Sequence, residues 1–259
     1  MSGKIAVAGA SGRVGHHVVD VLEARGYEVV AMSRSTGVDV ITGDGLAEAL
    51  TGVECIVDAA GGPSPDQHEA TEFFTTSARN LQEAGERAGV QRIVVVSIIG
   101  CDRFTAGYNV AKVAHEEVHQ AGPLRVQVLR AAQFHELVPL LVEWGRGGDV
   151  SFVQKARTQP IAARSAAEAL AELATRPDGP RLSEVAGPRE ESMVELARLA
   201  MARRGDPVRI EGVSYELDHE LFESGALLPG PEARLAGPTF EEWLADSVGA
   251  GRARATSVE

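Results

Sequence analysis

The sequence has few cysteines, few aromatic residues and no long apolar run. Its two cysteines are too few for a disulfide framework, and Cys55 lies in the apolar run VECIVDAA, which predicts a small core residue. No run reaches the roughly 18–20 apolar residues of a membrane span. The N-terminal stretch MSGKIAVAGASG lacks the features of a signal peptide, so we expect a reducing, cytoplasmic location.

Clustered positive charge is also missing. The chain has 37 acidic residues against 25 lysines and arginines, a formal net charge of −12. Binding of a phosphate backbone requires a basic face, so we expect no nucleic-acid partner. Without a run of membrane-span length we expect no membrane partner either, and the expected partner is a small-molecule substrate. With 259 residues, 44% of them hydrophobic, the chain is long enough to bury a sizeable core.

Strand-like and helix-like segments alternate through the first half. Short apolar runs that predict strands are separated by segments with helical spacing of apolar residues: KIAVAGA, YEVVAMSR, ECIVDAA, QRIVVVSIIG and LRVQVLRA. A long helix is expected from Gln67 to Ala88, and a short one with Asp44 as its N-cap. This alternation predicts an α/β fold with a parallel sheet covered on both faces.

The alternation loosens after Arg130. Shorter helices and strands follow without a linker, so we expect one domain over 1–259. Within it, 1–132 is the expected core, and 133–259 is a small α+β elaboration that contributes a substrate pocket.

Three glycines follow the first strand at the opening of the first helix. Gly9 permits a tight turn, Gly12 lets the backbone approach a pyrophosphate, and Gly15 allows the helix to pack closely on the strand. Free N–H groups at a helix start attract anions. The alternative is a glycine-rich connector that binds nothing; the strand–turn–helix context favours a dinucleotide site.

The end of the second strand bears on the choice of dinucleotide. NAD-binding folds usually place an acid there, whereas this sequence has Ser33 and Arg34. A guanidinium at this point can pair with a ribose 2′-phosphate, which favours NADP(H) over NAD(H). The alternative is a solvated surface arginine.

Tyr108 and Lys112 lie at the start of the helix after the fourth strand. Four residues apart, their side chains share one helix face, and an ammonium beside a phenol lowers the pKa of the phenol. Ser97 ends the fourth strand and could hold a substrate oxygen. We therefore predict Tyr108 as acid, Lys112 as orienting group and Ser97 as polarising group. A Y-x-x-x-K match taken alone arises often by chance.

Four stretches together resemble the atypical short-chain dehydrogenase/reductase (SDR) superfamily: GASGRVG, NLQEAGERAGVQRIVVVSIIG, YNVAK and VLRAAQFHE. The resemblance is to the NmrA-like, NAD(P)H-binding branch, in its quinone-reductase-like and triarylmethane-reductase-like subgroup. It is close over about residues 4–140. It implies a Rossmann-type doubly wound sheet and a monomer or homodimer.

The resemblance also implies roles for individual residues. Arg34 would take the 2′-phosphate and Lys112 the nicotinamide ribose. The remaining cofactor-binding residues would line the pyrophosphate and border the adenosine ribose: Gly9, Ser11, Gly12, Arg13, Val14 and Gly15 for the first, and Ala59, Ala60 and Gly61 for the second.

The residues after the fifth strand are candidates for substrate contacts. Gln133 could hydrogen-bond a carboxamide or substrate, Phe134 could form an apolar wall and His135 could be a second acid, or the last two could simply pack in the core. His115 and His119 have the i, i+4 spacing of metal ligands but no evident third ligand. We expect a solvated helix face there and no metal site.

Three functions are compatible with these residues. The favoured hypothesis is an NADPH-dependent reductase of a carbonyl, quinone or conjugated small molecule, by hydride transfer. The others are an NADP(H)-sensing regulatory protein without turnover, and an epimerase or dehydratase that uses bound NAD(P).

Overall fold

A computed structural model of the protein describes residues 3–62, 64–215 and 217–246. The chain divides into two compact units. The first is built from residues 1–131 and 163–184, and the second from 132–162 and 185–259. Among the described residues, no helix is both long and apolar enough to cross a membrane.

The first unit contains alternating strands and helices. Its strands are β1 (Lys4–Ala8), β2 (Glu28–Met32), β3 (Cys55–Asp58), β4 (Arg92–Ile98) and β5 (Arg125–Ala131). Its helices are α1 (Gly15–Ala24), α2 (Leu46–Ala49), α3 (Gln67–Ala88), α4 (Tyr108–Ala121) and, later in the chain, α6 (Ala163–Ala174). Helix α6 packs on α1, where Arg164 pairs with Asp20 at 3.9 Å.

The sheet is parallel, as the alternation predicts. Its order is β12-β9-β5-β4-β3-β1-β2, where β9 is Leu182–Ala186 and β12 is Arg234–Leu235. Strand β1 pairs with β2 on one side and β3 on the other, both in parallel. The chain therefore reverses its direction of winding at β1 and β3, which is the switch point where open α/β sheets bind ligands. The fold is the expected Rossmann-type doubly wound sheet.

Helix α3 begins and ends where the sequence predicts. The Asp66 carboxylate accepts hydrogen bonds from the N–H groups of His68 and Glu69, and Gly89 ends the helix with a φ of +75°. The prediction for α2 is wrong at its start: Gly45, not Asp44, precedes its first residue. The Asp44 carboxylate instead accepts from the Thr42 hydroxyl at 2.8 Å, so a contact within the loop uses the side chain that was expected to cap the helix.

The second unit has its own small sheets and core. Parallel pairing of β7 (Val150–Gln154) with β11 (Arg209–Val213) and antiparallel pairing with β6 (Arg146–Gly147) give a three-stranded sheet. β8 (Arg157–Thr158) pairs with β10 (Glu191–Ser192). The helices are α5 (Val138–Trp144), α7 (Met193–Arg204) and α8 (His219–Ser224), and residues 240–246 are also helical.

The core of this unit forms around α5 and α7, with Phe240 and Leu244 buried against them. Pro139 lies in the first turn of α5, where a helix tolerates proline because that N–H has no partner within the helix.

Candidate functional site

The carboxyl ends of β1, β2 and β3 bring the predicted cofactor residues to one edge of the sheet. The turn after β1 contains Gly9, Arg34 follows β2, and the segment 59–61 follows β3. Because the three strands are parallel neighbours, these ends lie side by side.

The glycines of the turn are required by close backbone contacts. A Cβ on Gly9, whose φ is +73°, would lie 2.6 Å from the Ala59 carbonyl oxygen. A Cβ on Gly15 would lie 2.1 Å from the Gly9 carbonyl oxygen, and one on Gly12 would lie 3.0 Å from the same atom. The turn after β1 therefore folds onto itself and onto the segment after β3, which only glycine permits.

The glycine turn (Gly9–Gly15) presents unpaired donors. Its internal hydrogen bond runs from the Gly12 N–H to the Gly9 carbonyl at 2.8 Å, and the Ala10 N–H donates to the Met32 carbonyl at 3.1 Å. Over the described part of the chain, the backbone N–H groups of Ser11 and Arg13 have no acceptor, and both residues are exposed. Free N–H groups at the opening of α1 fit a pyrophosphate.

Arg34 is exposed in a short 3₁₀ turn, residues 34–36, directly after Ser33. The Thr36 hydroxyl anchors this turn by donating to the Ala31 carbonyl at 2.9 Å. The Arg34 side chain makes no ion pair with any described residue. A free guanidinium at this strand end fits a 2′-phosphate.

The segment after β3 is held by Asp58. The Ala60 N–H donates to Asp58 Oδ1 at 3.0 Å, and the Ala59 N–H donates to the Ala8 carbonyl at 3.1 Å. Gly61 is exposed. The structure therefore brings the segment 59–61 against the glycine turn.

Tyr108 is the first residue of α4, after Gly107, whose N–H donates to Gln67 Oε1 at 2.7 Å. Its ring packs edge-on against Phe74 at 5.6 Å. Burial raises the pKa of Tyr108, and the nearby charge that opposes this shift is that of Arg13. The expected lowering of this pKa by Lys112 is absent.

Lys112 is 4% exposed, and its ammonium donates to His115 Nδ1 at 2.8 Å. It also lies over the Phe74 ring, 4.1 Å from the centroid. Burial lowers the pKa of Lys112 to about 8, although the charges of Asp58 and Glu116 oppose the shift. Within the described residues His115 is its one hydrogen-bond partner, so an ammonium with three N–H groups keeps donors for a bound ligand.

Lys112 belongs to a buried cluster of four side chains: Asp58, Lys112, His115 and His119. Asp58 Oδ2 is 2.9 Å from His115 Nε2 and 3.0 Å from His119 Nε2, and both imidazoles and the carboxylate are fully buried. Gln82 Nε2 contacts His119 Nδ1 at 3.3 Å. Burial opposes ionisation of Asp58, but the two histidines outweigh it and hold the pKa of its carboxyl well below its ordinary value.

The expectation of a solvated helix face at His115 and His119 is wrong. Helix α4 turns both rings toward Asp58, which supplies the third polar side chain that the spacing of the histidines alone did not reveal. A signal for this was present in the sequence: Asp58 is an acid inside the buried run CIVDAA, and a buried acid requires donors.

Ser97 is also buried, at the end of β4, with Oγ 3.8 Å from Cys101 Sγ. Cys101 in turn donates to Glu116 Oε1 at 3.6 Å. Arg130 binds both Glu116 oxygens, at 3.0 and 2.8 Å. This ion pair joins α4 to β5 and was not predicted from the sequence.

The three substrate candidates lie in the second unit. Gln133 accepts a hydrogen bond from the Thr158 hydroxyl, and the backbone of Phe134 forms an isolated parallel β-bridge with Ile161. His135 is fully buried, donates to the Pro160 carbonyl at 3.0 Å and packs against Phe240 and Trp243. Burial lowers its pKa to about 4. These contacts favour the packing alternative for His135.

Comparisons with known proteins identify the family and the fold. A model of an NAD(P)H-binding family matches residues 9–177. A 3-beta-hydroxysteroid dehydrogenase from Mycolicibacterium neoaurum is 32% identical over 113 residues, which cover 36% of this chain and 31% of that protein. The match therefore spans about a third of the length of this curated relative.

Two solved structures share the fold. The Bordetella bronchiseptica enzyme WbmH in complex with NAD+ has a TM-score of 0.74 and 17% identity, covering 97% of this chain and 99% of WbmH. The NADPH-dependent quinone oxidoreductase QOR2 of Escherichia coli, complexed with NADPH, has a TM-score of 0.64 and 18% identity, covering 94% of this chain and 99% of QOR2. At these identities the likeness establishes the fold alone.

Proposed function

The chain belongs to an NAD(P)H-binding family, and we propose that it is an SDR-type, NADPH-dependent reductase of a small carbonyl, quinone or conjugated organic substrate. One observation carries the proposal. A glycine turn with free backbone N–H groups, a free arginine at the end of β2 and a buried lysine with unused donors lie in the same unit. Each has the chemistry that one part of a nicotinamide dinucleotide requires.

Arg34 supports NADP(H) over NAD(H). It stands where an acid would hold the ribose hydroxyls of NAD, and its guanidinium matches the charge and geometry of a phosphate. The free N–H groups of Ser11 and Arg13 would hold the pyrophosphate. Val14 and Gly15 would close the helix start beneath it, and Ala59–Gly61 would border the adenosine ribose.

Lys112 and Tyr108 are the residues of α4 that we propose act on the cofactor and the substrate. Lys112 would donate to the nicotinamide ribose, and when bound the cofactor supplies the hydride. Tyr108 would deliver a proton from its hydroxyl to the substrate oxygen. The Ser97 hydroxyl would hold that oxygen, and Gln133 and Phe134 remain the proposed substrate contacts.

A non-catalytic NADP(H) sensor is the second candidate, and one observation favours it. The Lys112 ammonium is directed to His115, and burial makes the Tyr108 phenol a weaker acid than an exposed tyrosine. Such a site would bind a dinucleotide without being tuned for rapid proton transfer.

Cofactor titration and a substrate screen separate these candidates. Fluorescence titration should show NADPH binding at least about tenfold more tightly than NADH. Loss of NADPH absorbance with a panel of quinones, ketones and aldehydes would then report turnover. Tyr108→Phe should keep NADPH affinity within about twofold and lower kcat by about 100-fold, because it removes the acid and not the binding groups.

The outcomes differ clearly between the two candidates. A wild type that binds NADPH but consumes none with any substrate supports the sensor. Turnover that is unchanged in Tyr108→Phe would remove Tyr108 as the acid and keep the reductase. A wild type that binds neither dinucleotide would overturn both.

A further inference from the structure

The buried cluster is a connected series of hydrogen bonds that starts at Lys112. The Lys112 ammonium contacts His115 Nδ1 at 2.8 Å, and His115 Nε2 contacts Asp58 Oδ2 at 2.9 Å. His119 Nε2 contacts the same carboxylate oxygen at 3.0 Å. Asp58 Oδ1 accepts a hydrogen bond from the N–H of Ala60, which lies in the segment 59–61 next to the glycine turn.

The neighbours of each histidine determine which ring nitrogen carries the proton. A lysine ammonium can only donate, so His115 Nδ1 is the acceptor and its Nε2 carries the hydrogen. Gln82 Oε1 accepts from the Leu124 N–H at 2.9 Å, and its Nε2 donates to the His119 carbonyl at 3.0 Å. That orientation directs an N–H of Gln82 at His119 Nδ1, so His119 Nε2 also carries a hydrogen.

These proton positions decide between a metal site and a hydrogen-bonded support. Asp58, His115 and His119 have ligand-type atoms within 4.8 Å of one another, close enough to surround one ion. A metal needs the lone pair of each Nε2, however, whereas with these hydrogens both Nε2 atoms, which lie 3.2 Å apart, are donors to the carboxylate. The Lys112 cation next to His115 adds repulsion against a second cation.

We propose that His115, which is anchored on Asp58 together with His119, holds the Lys112 ammonium in position. His115 also connects the ammonium to the Asp58 carboxylate through two hydrogen bonds. His115 is then a positioning residue: it acts on the cofactor through Lys112. This inference rests on the proposed function only for what Lys112 binds. The support itself is a property of the unliganded protein.

The charge on Lys112 depends on a small set of surrounding groups. Asp58 on β3, His115 and Glu116 on α4, and Cys101 after β4 are the titratable neighbours, and α3 contributes the face of the Phe74 ring. Glu116 is already paired with Arg130. Asp58 is therefore the counter-charge, and His115 is the group that connects it to Lys112.

Lysine titration by NMR tests this directly, because the chain has only three lysines: Lys4, Lys112 and Lys155. Protein labelled with 13C-lysine gives one ε-CH2 signal for each, followed from about pH 6 to about pH 11. In His115→Phe the Lys112 midpoint should fall by about one pH unit, because a buried ammonium without its acceptor loses its proton more easily.

Two matched variants separate positioning from packing. His115→Asn keeps an acceptor near the place of Nδ1, and should restore the Lys112 midpoint to within about 0.3 unit of wild type. His119→Gln keeps a donor to Asp58 without touching Lys112, and should leave the midpoint unchanged. An equal midpoint in wild type and His115→Phe would overturn the proposal.

Histidine tautomers in the wild-type protein give a second measurement. Long-range 1H–15N spectra of the wild type should show Nε2–H for both His115 and His119. A hydrogen on His115 Nδ1 would overturn the proposal, as would a stoichiometric metal ion in the purified protein that His119→Gln loses.

NADPH titration over the same pH range links the support to the cofactor. Affinity should decline as Lys112 loses its proton, and the decline should begin at lower pH in His115→Phe. If the wild type binds no NADPH, the proposed function fails, whereas the lysine titration still decides the inference.

Discussion

The glycine turn and the buried cluster lie at the same sheet edge and are built in opposite ways. The glycine turn uses backbone atoms within a few residues of one another, and its free donors face outward. The buried cluster joins Asp58 to His115 and His119, which lie 57 and 61 positions further along the chain, and these three side chains are fully buried. The first therefore depends on the absence of Cβ atoms, and the second on the presence of every polar partner.

The largest effect should come from removing the charge at the centre of the buried cluster. Asp58→Asn leaves the Lys112 ammonium without its counter-charge in a buried site, which should lower the free energy of unfolding by about 3–5 kcal/mol. Urea unfolding at neutral pH measures it. Asp20→Asn is the control, because that acid is 57% exposed in its pair with Arg164 and should cost no more than about 0.5 kcal/mol. Equal midpoints for the two variants would contradict the assignment.

A methyl group in the glycine turn should have the next largest effect. Gly15→Ala places a Cβ 2.1 Å from the Gly9 carbonyl oxygen, so the turn must shift. We expect a loss of about 1–3 kcal/mol in the free energy of unfolding and NADPH affinity more than tenfold weaker. Gly61→Ala adds the same methyl group where nothing lies within 4 Å, and its urea midpoint should equal that of wild type. Retained NADPH affinity in Gly15→Ala would show that the turn is not the binding element.

Acid should weaken the buried cluster before it affects the glycine turn. Burial and the Lys112 charge lower the pKa of His115 to about 3, against an ordinary value of 6.5. The folded protein therefore binds fewer protons there than the unfolded chain, and stability falls as pH drops from 6.5 toward 3. Between pH 7 and pH 5 we expect a loss of about 2 kcal/mol from this group, measured by urea unfolding.

The assignment to His115 comes from a difference between variants. His135 in the second unit has its pKa lowered in the same direction and contributes to the total loss. His115→Phe should therefore reduce the pH dependence, and a slope identical to that of wild type would exclude His115 as its source.

The smallest effect on stability should come from replacing Arg34, which is exposed at the end of β2. Arg34→Ala should change the free energy of unfolding by less than about 0.5 kcal/mol, because the side chain is exposed. NADPH affinity should nevertheless fall by about tenfold, with NADH affinity unchanged. Parallel titrations with both dinucleotides measure it, and an equal loss for both would show that Arg34 does not read the 2′-phosphate.

Local patterns in the sequence predicted the parallel sheet, the glycine turn and α3 with its ends. Each of these depends on residues that are close in the chain: apolar periodicity, a glycine triplet between strand and helix, and a cap such as Asp66. The start of α2 was predicted wrongly although it is also local, because Asp44 had two possible partners and the Thr42 hydroxyl took its carboxylate.

Only the tertiary structure decided what surrounds Lys112. The sequence placed Tyr108 and Lys112 on one face of α4, and their shared face is real, but it did not determine where the ammonium points. That depends on Asp58, brought from β3, and on Phe74, brought from α3. Hydrogen bonds between side chains distant in sequence leave no periodic trace, so the buried cluster became visible when the helix and the strand were packed together.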